Sequence, residues 1–227
     1  MNPSSGKNRV CVVIPFFNER RFLKDLNERI PDSVDTIIFI DDGSTDGGCD
    51  LIELSNPKVI LIKNQQNRGK GFSLRAGFLK CLELGGEYII SLDADLQHPP
   101  ELIPGFIELL NEYDLVIGTR KFSKREMPLD RRISNFITSF IISKKAGARI
   151  YDSQSGYRAF NASALVKIMS DSDDFIAESE MLIKAGKNKL KIGHYPIPTI
   201  YGEEKSKINR IKVIRSFITM LFSARGR

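Results

Sequence analysis

The chain has 227 residues, 41% of them hydrophobic and 27% charged, with a mean hydropathy of −0.19. Such a composition gives a globular domain with one substantial core, and no apolar run approaches the ~20 residues that span a bilayer. A polar N-terminal stretch, Met1 to Arg9, lacks the apolar segment of a signal peptide, so a cytoplasmic location is expected. Cys11, Cys49 and Cys81 are widely spaced, lack metal-ligand spacing and read as reduced thiols. The formal net charge of +6 and pI of about 9.2 suit anionic partners, without choosing among phosphates, lipid headgroups and nucleic acid. Cations gather at residues 121–132 and from Lys184 onward, where Lys205, Lys207, Arg210, Lys212 and Arg215 stand.

The first half alternates strand and helix signals. Val10–Ile14 is a buried strand ended by Pro15, followed by a helix from Glu19 to about Ile30. Thr36–Ile40 is a second strand, ended by Asp41-Asp42-Gly43, after which Ser44 or Thr45 could cap a short helix. Val59–Ile62 is a third strand, and Gly71 to Leu84 carries a helical stripe. Glu87–Leu92 is a fourth strand, Pro100 opens a helix through Leu110, and Leu115–Gly118 is a fifth strand. Continuous apolar strands alternating with helices imply an α/β fold with a mainly parallel sheet covered on both faces. Residues 121–128 read as an exposed, mobile loop. A helix is expected from Arg131 to Lys145, then a turn-rich stretch from Asp152 to Arg158, helices near Ser163–Met169 and Phe175–Gly186, and a strand at Leu190–Tyr195. Ile208 to Phe222 reads as a C-terminal amphipathic helix. One domain spans 1–227: a nucleotide-binding half at 10–120, an acceptor half at 121–207, and the terminal helix within 208–227.

Ligands of an open α/β sheet bind at the carboxyl ends of its strands. Here those ends carry Asn18 and Glu19, Asp41 and Asp42, Asn64 and Asn67, and Asp93 and Asp95. This polar, acidic rim suits a divalent cation and the hydroxyls of a nucleotide. In Ser91-Leu92-Asp93-Ala94-Asp95-Leu96-Gln97, an extended chain would turn Asp93, Asp95 and Gln97 to one side, where three oxygen-bearing groups could hold Mg²⁺ or Mn²⁺. The segment Asn67-Arg68-Gly69-Lys70-Gly71 is neither a P-loop nor a dinucleotide fingerprint and reads as a loop with a helix start. His98 and His194 are too few for a zinc site, and no Ser-His-Asp arrangement is visible.

Ile14-Pro15-Phe16-Phe17-Asn18-Glu19, Asp41-Asp42-Gly43-Ser44, Asn67-x-Gly69-x-Gly71, Asp93-Ala94-Asp95-Leu96-Gln97-His98-Pro99-Pro100 and Gly118-Thr119-Arg120 stand in register along the chain. Together they resemble the inverting GT-A glycosyltransferases of family 2, and within these the polyprenyl- and dolichyl-phosphate sugar synthases. The resemblance runs from about residue 10 to 207. It implies a Rossmann-like fold that moves a hexose from a nucleotide-sugar, GDP-mannose or a UDP-sugar, to a lipid phosphate. Pro15, Phe17, Glu19, Ile40 and Asp42 would then line the base and ribose pocket; the family often has Tyr where Phe17 stands. Asp93 and Ala94 would contact the donor, Asp95 and Gln97 with Asp93 would hold Mg²⁺ or Mn²⁺, and Arg120 would sit near the donor or acceptor phosphate. Arg131 and Arg132 are acceptor-phosphate candidates, Arg being matched in shape to phosphate oxygens. Asp152 to Arg158 resembles the family's stretch ending in Gly-Phe-Arg. The closing Tyr201–Lys207 resembles a segment that folds over the donor. Some relatives carry an Arg just before that segment, absent from Pro198-Thr199-Ile200, so Lys205 or Lys207 would substitute.

A lipid phosphate is anionic at pH 7 and needs no base. The alternative, a family 2 enzyme acting on a sugar hydroxyl in glycan assembly, requires a carboxylate, and Glu180 or Glu178 is the candidate. A nucleotidyltransferase would need a Gly-rich first loop, which Pro15-Phe16-Phe17-Asn18-Glu19 replaces. The basic terminal helix would bring the chain to the inner face of a membrane as a peripheral protein, alone or with a membrane-protein partner. Nucleic acid is not expected as a partner.

Overall fold

The structure, a computed structural model, describes residues 8–120 and 129–198. The loop at 121–128, Lys205, Lys207, the closing segment, the terminal helix and the side chain of Arg131 lie outside the described residues. Strands β1 (Val10–Phe16), β2 (Thr36–Asp41), β3 (Val59–Lys63), β4 (Tyr88–Ser91), β5 (Leu115–Arg120), β6 (Arg158–Asn161) and β7 (Ile192–Ile197) form one seven-stranded sheet in the order β3-β2-β1-β4-β6-β5-β7. Helices α1 (Arg20–Arg29), α2 (Lys70–Glu83), α3 (Ile103–Leu109), α4 (Leu129–Ala146), α5 (Ala162–Ile168) and α6 (Ile176–Lys187) flank it.

Strand β1 is apolar throughout because both its faces are covered. Val10, Val12, Ile14 and Phe16 pack with Leu23 and Leu26 of α1 and Ile103 and Phe106 of α3. Cys11 and Val13 point the other way, into a core that also holds Leu74 and Phe78 of α2, Ile142 of α4 and Leu182 of α6. Strand β1 runs on through Pro15, which the sequence suggested would end it. The missing N–H is tolerated there because β1 pairs with β4 only from Val10 to Val13, leaving Pro15 paired with β2 alone.

All pairings are parallel except those of β6, which runs antiparallel to both β4 and β5. The order reverses between β1 and β4, and that switch point opens a crevice at their carboxyl ends. Because β6 enters from the opposite direction, its first residue, Arg158, pairs with the last residue of β4, Ser91. The turn-rich stretch 152–157 is thereby delivered to the same crevice.

Two further local expectations fail. No helix starts at Ser44 or Thr45; a 3-10 turn at Gly48–Leu51 takes its place. The reason is that Asn18, at φ 55°, binds across to this loop: Asn18 N–H donates to Ser44 Oγ at 2.9 Å and Thr45 N–H to Asn18 Oδ1 at 2.8 Å. The helix from Pro100 divides into a 3-10 turn, Pro100–Leu102, and α3.

The cysteines have no exposed reactive thiol among them. Cys11 and Cys81 are buried, and burial, reinforced by the Asp41 carboxylate, pushes the Cys49 thiol up to about 12. Helix α2 lies so close to the sheet at Gly77 that an added Cβ would sit 2.8 Å from Ile40 Cδ1 and closer still to Val13 Cγ1. Gly77→Ala should therefore destabilise the fold by about 1–3 kcal/mol despite its better helix propensity. Urea denaturation checks this; an unchanged or raised midpoint would contradict the packing.

Candidate active site

The crevice is built on a part-buried ion cluster. Lys70 opens α2, where the positive end of the helix dipole disfavours a cation. It is held by two carboxylates instead: Nζ lies 2.7 Å from Asp93 Oδ1 and 3.1 Å from Glu178 Oε2. Burial pulls the Lys70 ammonium down, but Asp93 and Glu178 outweigh it and hold it above the ordinary lysine range. Burial likewise pushes Asp93 up, and Lys70 more than offsets it, keeping the carboxyl below the usual range. Gly156 closes the cluster, since a Cβ there would meet Lys70 Nζ at 2.7 Å and Asp93 Oδ2 more closely. Ser91 Oγ donates to Gly156 O at 2.8 Å, pinning that approach.

Beyond Asp93 the chain does not stay extended. Ala94 and Asp95 form a turn, Leu96 has φ 55°, and Gln97 N–H donates to Asp95 Oδ1 at 3.0 Å. Strand periodicity therefore does not apply, and the expectation that it aligns Asp93, Asp95 and Gln97 is corrected. Asp93 is engaged by Lys70, while Asp95 and Gln97 follow on the turn. Among the described residues no three His, Cys, Asp or Glu side chains are grouped to hold a metal ion. The turn offers hard oxygen donors, the chemistry that Mg²⁺ or Mn²⁺ takes when a substrate's phosphates complete the shell.

Asp42 is buried and engaged three times, accepting from Asn64 Nδ2 at 2.8 Å, Arg68 N–H at 2.9 Å and Gly69 N–H at 2.8 Å. It fixes the loop that delivers Lys70. Gly69 has φ 98°, and any Cβ on it would lie 2.5 Å from Asp173 O, so this turn requires glycine. Asp41 accepts from Ser44 N–H and Cys49 Sγ. Of the residues expected to meet a nucleoside, Pro15 is buried in β1, Phe17 is exposed and Glu19 stands at the N-cap of α1. Ile40 packs beneath α2 and Ala94 joins the α1–α3 core.

A second cluster lies at the end of β5. Arg120 forks onto the fully buried Asp152, with Nε at 2.7 Å from Oδ2 and Nη2 at 2.8 Å from Oδ1. Asn135 Nδ2 adds a third donor at 3.1 Å. Arg158 is buried with its donors on Ser155 O, Glu178 O and Ser153 O, tying the 152–158 stretch to α6. Arg132 is half-buried on α4. Glu180 accepts from Ser170 Oγ, so the acidic residue that α6 brings to Asp93 is Glu178. His98 is buried, bonded to Pro198 O at 3.1 Å and stacked on Tyr157, a packing role. Sequence reading had not singled out Lys70, Asp152 or Arg158 as site residues; the signal for the first was its place in Asn67-x-Gly69-Lys70-Gly71.

The fold is that of the GT-A glycosyltransferases. Glucosyl-3-phosphoglycerate synthase from Mycobacterium tuberculosis, in complex with Mn²⁺, UDP and phosphoglyceric acid, superposes with a TM-score of 0.76 at 17% identity, covering 95% of this chain and 78% of that one. The family model for glycosyl transferase family 2 matches residues 11–180. The UDP-N-acetylglucosamine--dolichyl-phosphate N-acetylglucosaminyltransferase of Methanococcus voltae is 37% identical over 218 residues, 86% of each chain. The undecaprenyl-phosphate mannosyltransferase of Micrococcus luteus is 29% identical over 206 residues, 86% of this chain and 85% of that one. This chain belongs to glycosyl transferase family 2 and is a glycosyltransferase.

The Arg120–Asp152 pair makes a pH prediction. Burial pushes the Asp152 carboxyl up, but Arg120 outweighs it and holds it below the usual range. The pair thus stabilises the fold above about pH 4, and that stability is lost as pH falls through the folded-state pKa. Arg120→Met leaves a buried carboxylate without its guanidinium, costing about 3 kcal/mol or more at pH 7. Asp152 then titrates above its unfolded value, so the deficit should shrink between pH 7 and pH 5. Urea melts at both pH values test this, and a deficit that stays constant contradicts it.

Proposed function

We propose that this glycosyltransferase moves a sugar from a nucleotide-sugar onto a polyprenyl or dolichyl phosphate, with inversion, at the cytoplasmic face of a membrane. The observation that carries this reading is the polar turn Asp93–Gln97 immediately past the β1–β4 switch point, with the Arg120–Asp152 pair at the end of β5, across β6 from it. The 37% identity to a dolichyl-phosphate N-acetylglucosaminyltransferase and the 29% identity to an undecaprenyl-phosphate mannosyltransferase support the acceptor class. UDP-N-acetylglucosamine is the first donor to test, GDP-mannose the second.

In this reading the nucleoside lies along the carboxyl ends of β1 and β2, near Pro15, Phe17, Glu19, Ile40 and Asp42. The donor's sugar lies toward Asp93 and Ala94. Asp95 and Gln97 hold Mg²⁺ or Mn²⁺, whose chemistry is to neutralise the diphosphate as it leaves. Lys70 fixes Asp93 so that the carboxylate does not have to reorganise when the donor arrives. Arg120 and Arg132, with Arg131, receive the acceptor phosphate, and Lys205 and Lys207 complete the donor side.

The two acidic residues of α6 favour a phosphate nucleophile over a sugar hydroxyl. Glu178 pairs with Lys70 and Glu180 accepts from Ser170, so each carboxylate has internal work, and a phosphate anion asks neither of them for proton abstraction. The work left to the chain is positioning and charge stabilisation.

Incubating the protein with a panel of nucleotide-sugars, Mg²⁺ or Mn²⁺ and a short polyprenyl phosphate should yield one glycolipid by mass spectrometry. Asp95→Ala should lower its formation by about 10²-fold or more while the melting temperature holds. Transfer to sugar hydroxyls but not to the lipid phosphate would overturn the acceptor assignment.

A further inference from the structure

Helix α4 is turned inside out over its central turns. Its buried face carries Asn135 and Ser139 as well as Ile142 and Ala146, whereas Ile133, Phe136, Ile137 and Phe140 face outward. Phe136 is 73% exposed and Phe140 55%. The outward set recurs at i, i+3, i+4 and i+7, a continuous apolar stripe along one side. The inward polar residues are fully engaged: Asn135 donates to Asp152, and Ser139 bonds to Asn135 and Ser153. A helix that puts amides and hydroxyls inside and phenylalanines outside contradicts burial in water on both counts.

Charge says what covers the stripe. Between residues 131 and 151 the chain has Arg131, Arg132, Lys144, Lys145 and Arg149 and no acidic residue. Lys144 and Arg149 are exposed, and Lys144 lies over the Phe140 ring, 5.8 Å from its centroid. Exposed Tyr151 adds an aromatic group beside Arg149. A second copy would set this cationic face against itself. The chain's own 208–222 segment carries Arg210, Lys212 and Arg215 and would add like charge. An anionic lipid surface complements both the apolar stripe and its cations.

We propose that the outer face of α4 is a membrane-docking surface for anionic lipid, with Ile133, Phe136, Ile137 and Phe140 entering the interface and Lys144, Lys145 and Arg149 meeting the headgroups. The inference rests on the lipid-phosphate reading above. It adds geometry to it: the same helix reaches Asp152, and through it Arg120, with its inner side, so the acceptor end of the site stands one helix diameter, about 10 Å, from the lipid.

The sequence contains no Trp, so Phe136→Trp places a single reporter on the stripe. In the full chain, its emission should shift to the blue on adding vesicles with about one-third phosphatidylglycerol in phosphatidylcholine, and shift less with phosphatidylcholine alone. In a parallel flotation assay, the triple variant Phe136→Ser, Ile137→Ser, Phe140→Ser should bind the anionic vesicles at least about tenfold more weakly. Its melting temperature should hold or rise, because the replaced groups face solvent in the free protein. An emission that is unmoved by vesicles, or already blue without them, overturns the proposal, the latter by showing the face covered by protein. A triple variant that binds vesicles normally also overturns it. Vesicle binding needs no donor, metal or turnover, so a failed transfer assay and a failed docking surface are told apart.

Discussion

The site depends on one ammonium group placed between two carboxylates. Lys70 joins the start of α2, the end of β4 and the first turn of α6, three elements that are far apart in sequence. A lysine at a helix N-terminus is electrostatically misplaced, and Asp93 and Glu178 are what make it tolerable. Conversely, the lysine is what holds the Asp93 carboxyl below the usual carboxylate range. Gly156 is part of the same arrangement, since a larger residue would occupy the space where the pair meets.

Around that cluster the acidic rim is largely answered by the protein's own donors. Asp42 clamps the loop leading to Lys70, Asp41 holds the loop after β2, and Asp152 takes the guanidinium of Arg120. The rim therefore acts first as scaffold. In the proposed reaction the cation is reached by Asp95 and Gln97, two side chains on a turn, which is fewer ligands than a six-coordinate ion takes. The donor's diphosphate, with water, would have to supply the rest. Such an arrangement couples metal binding to donor binding, and the two are expected to assemble together.

The strands could be read from the sequence because burial on both sides leaves long apolar runs, as in Val10–Ile14 and Thr36–Ile40. The rim could be read too, since strand ends fix where ligands go. Strand β6 escaped because it has only four residues, begins with an arginine and merges into α5. Missing it hid the delivery of residues 152–157 to the crevice. The geometry at Asp95 was misjudged for a related reason: a turn set by Leu96 at φ 55° leaves no periodic trace in composition. The pairings Lys70–Glu178 and Arg120–Asp152 span 108 and 32 residues, and nothing local marks them. Five motifs in register identified the family, but they did not show that Lys70 and Asp152 hold two of them in place.

Titration of Mn²⁺ followed by electron paramagnetic resonance, with and without UDP or GDP, tests the coupling of cation and donor directly. The account predicts weak Mn²⁺ binding to the protein alone and binding at least about tenfold tighter once the matching nucleoside diphosphate is present, with the same gain for the nucleotide in Mn²⁺. Tight Mn²⁺ binding without nucleotide, or nucleotide binding indifferent to Mn²⁺, would contradict it.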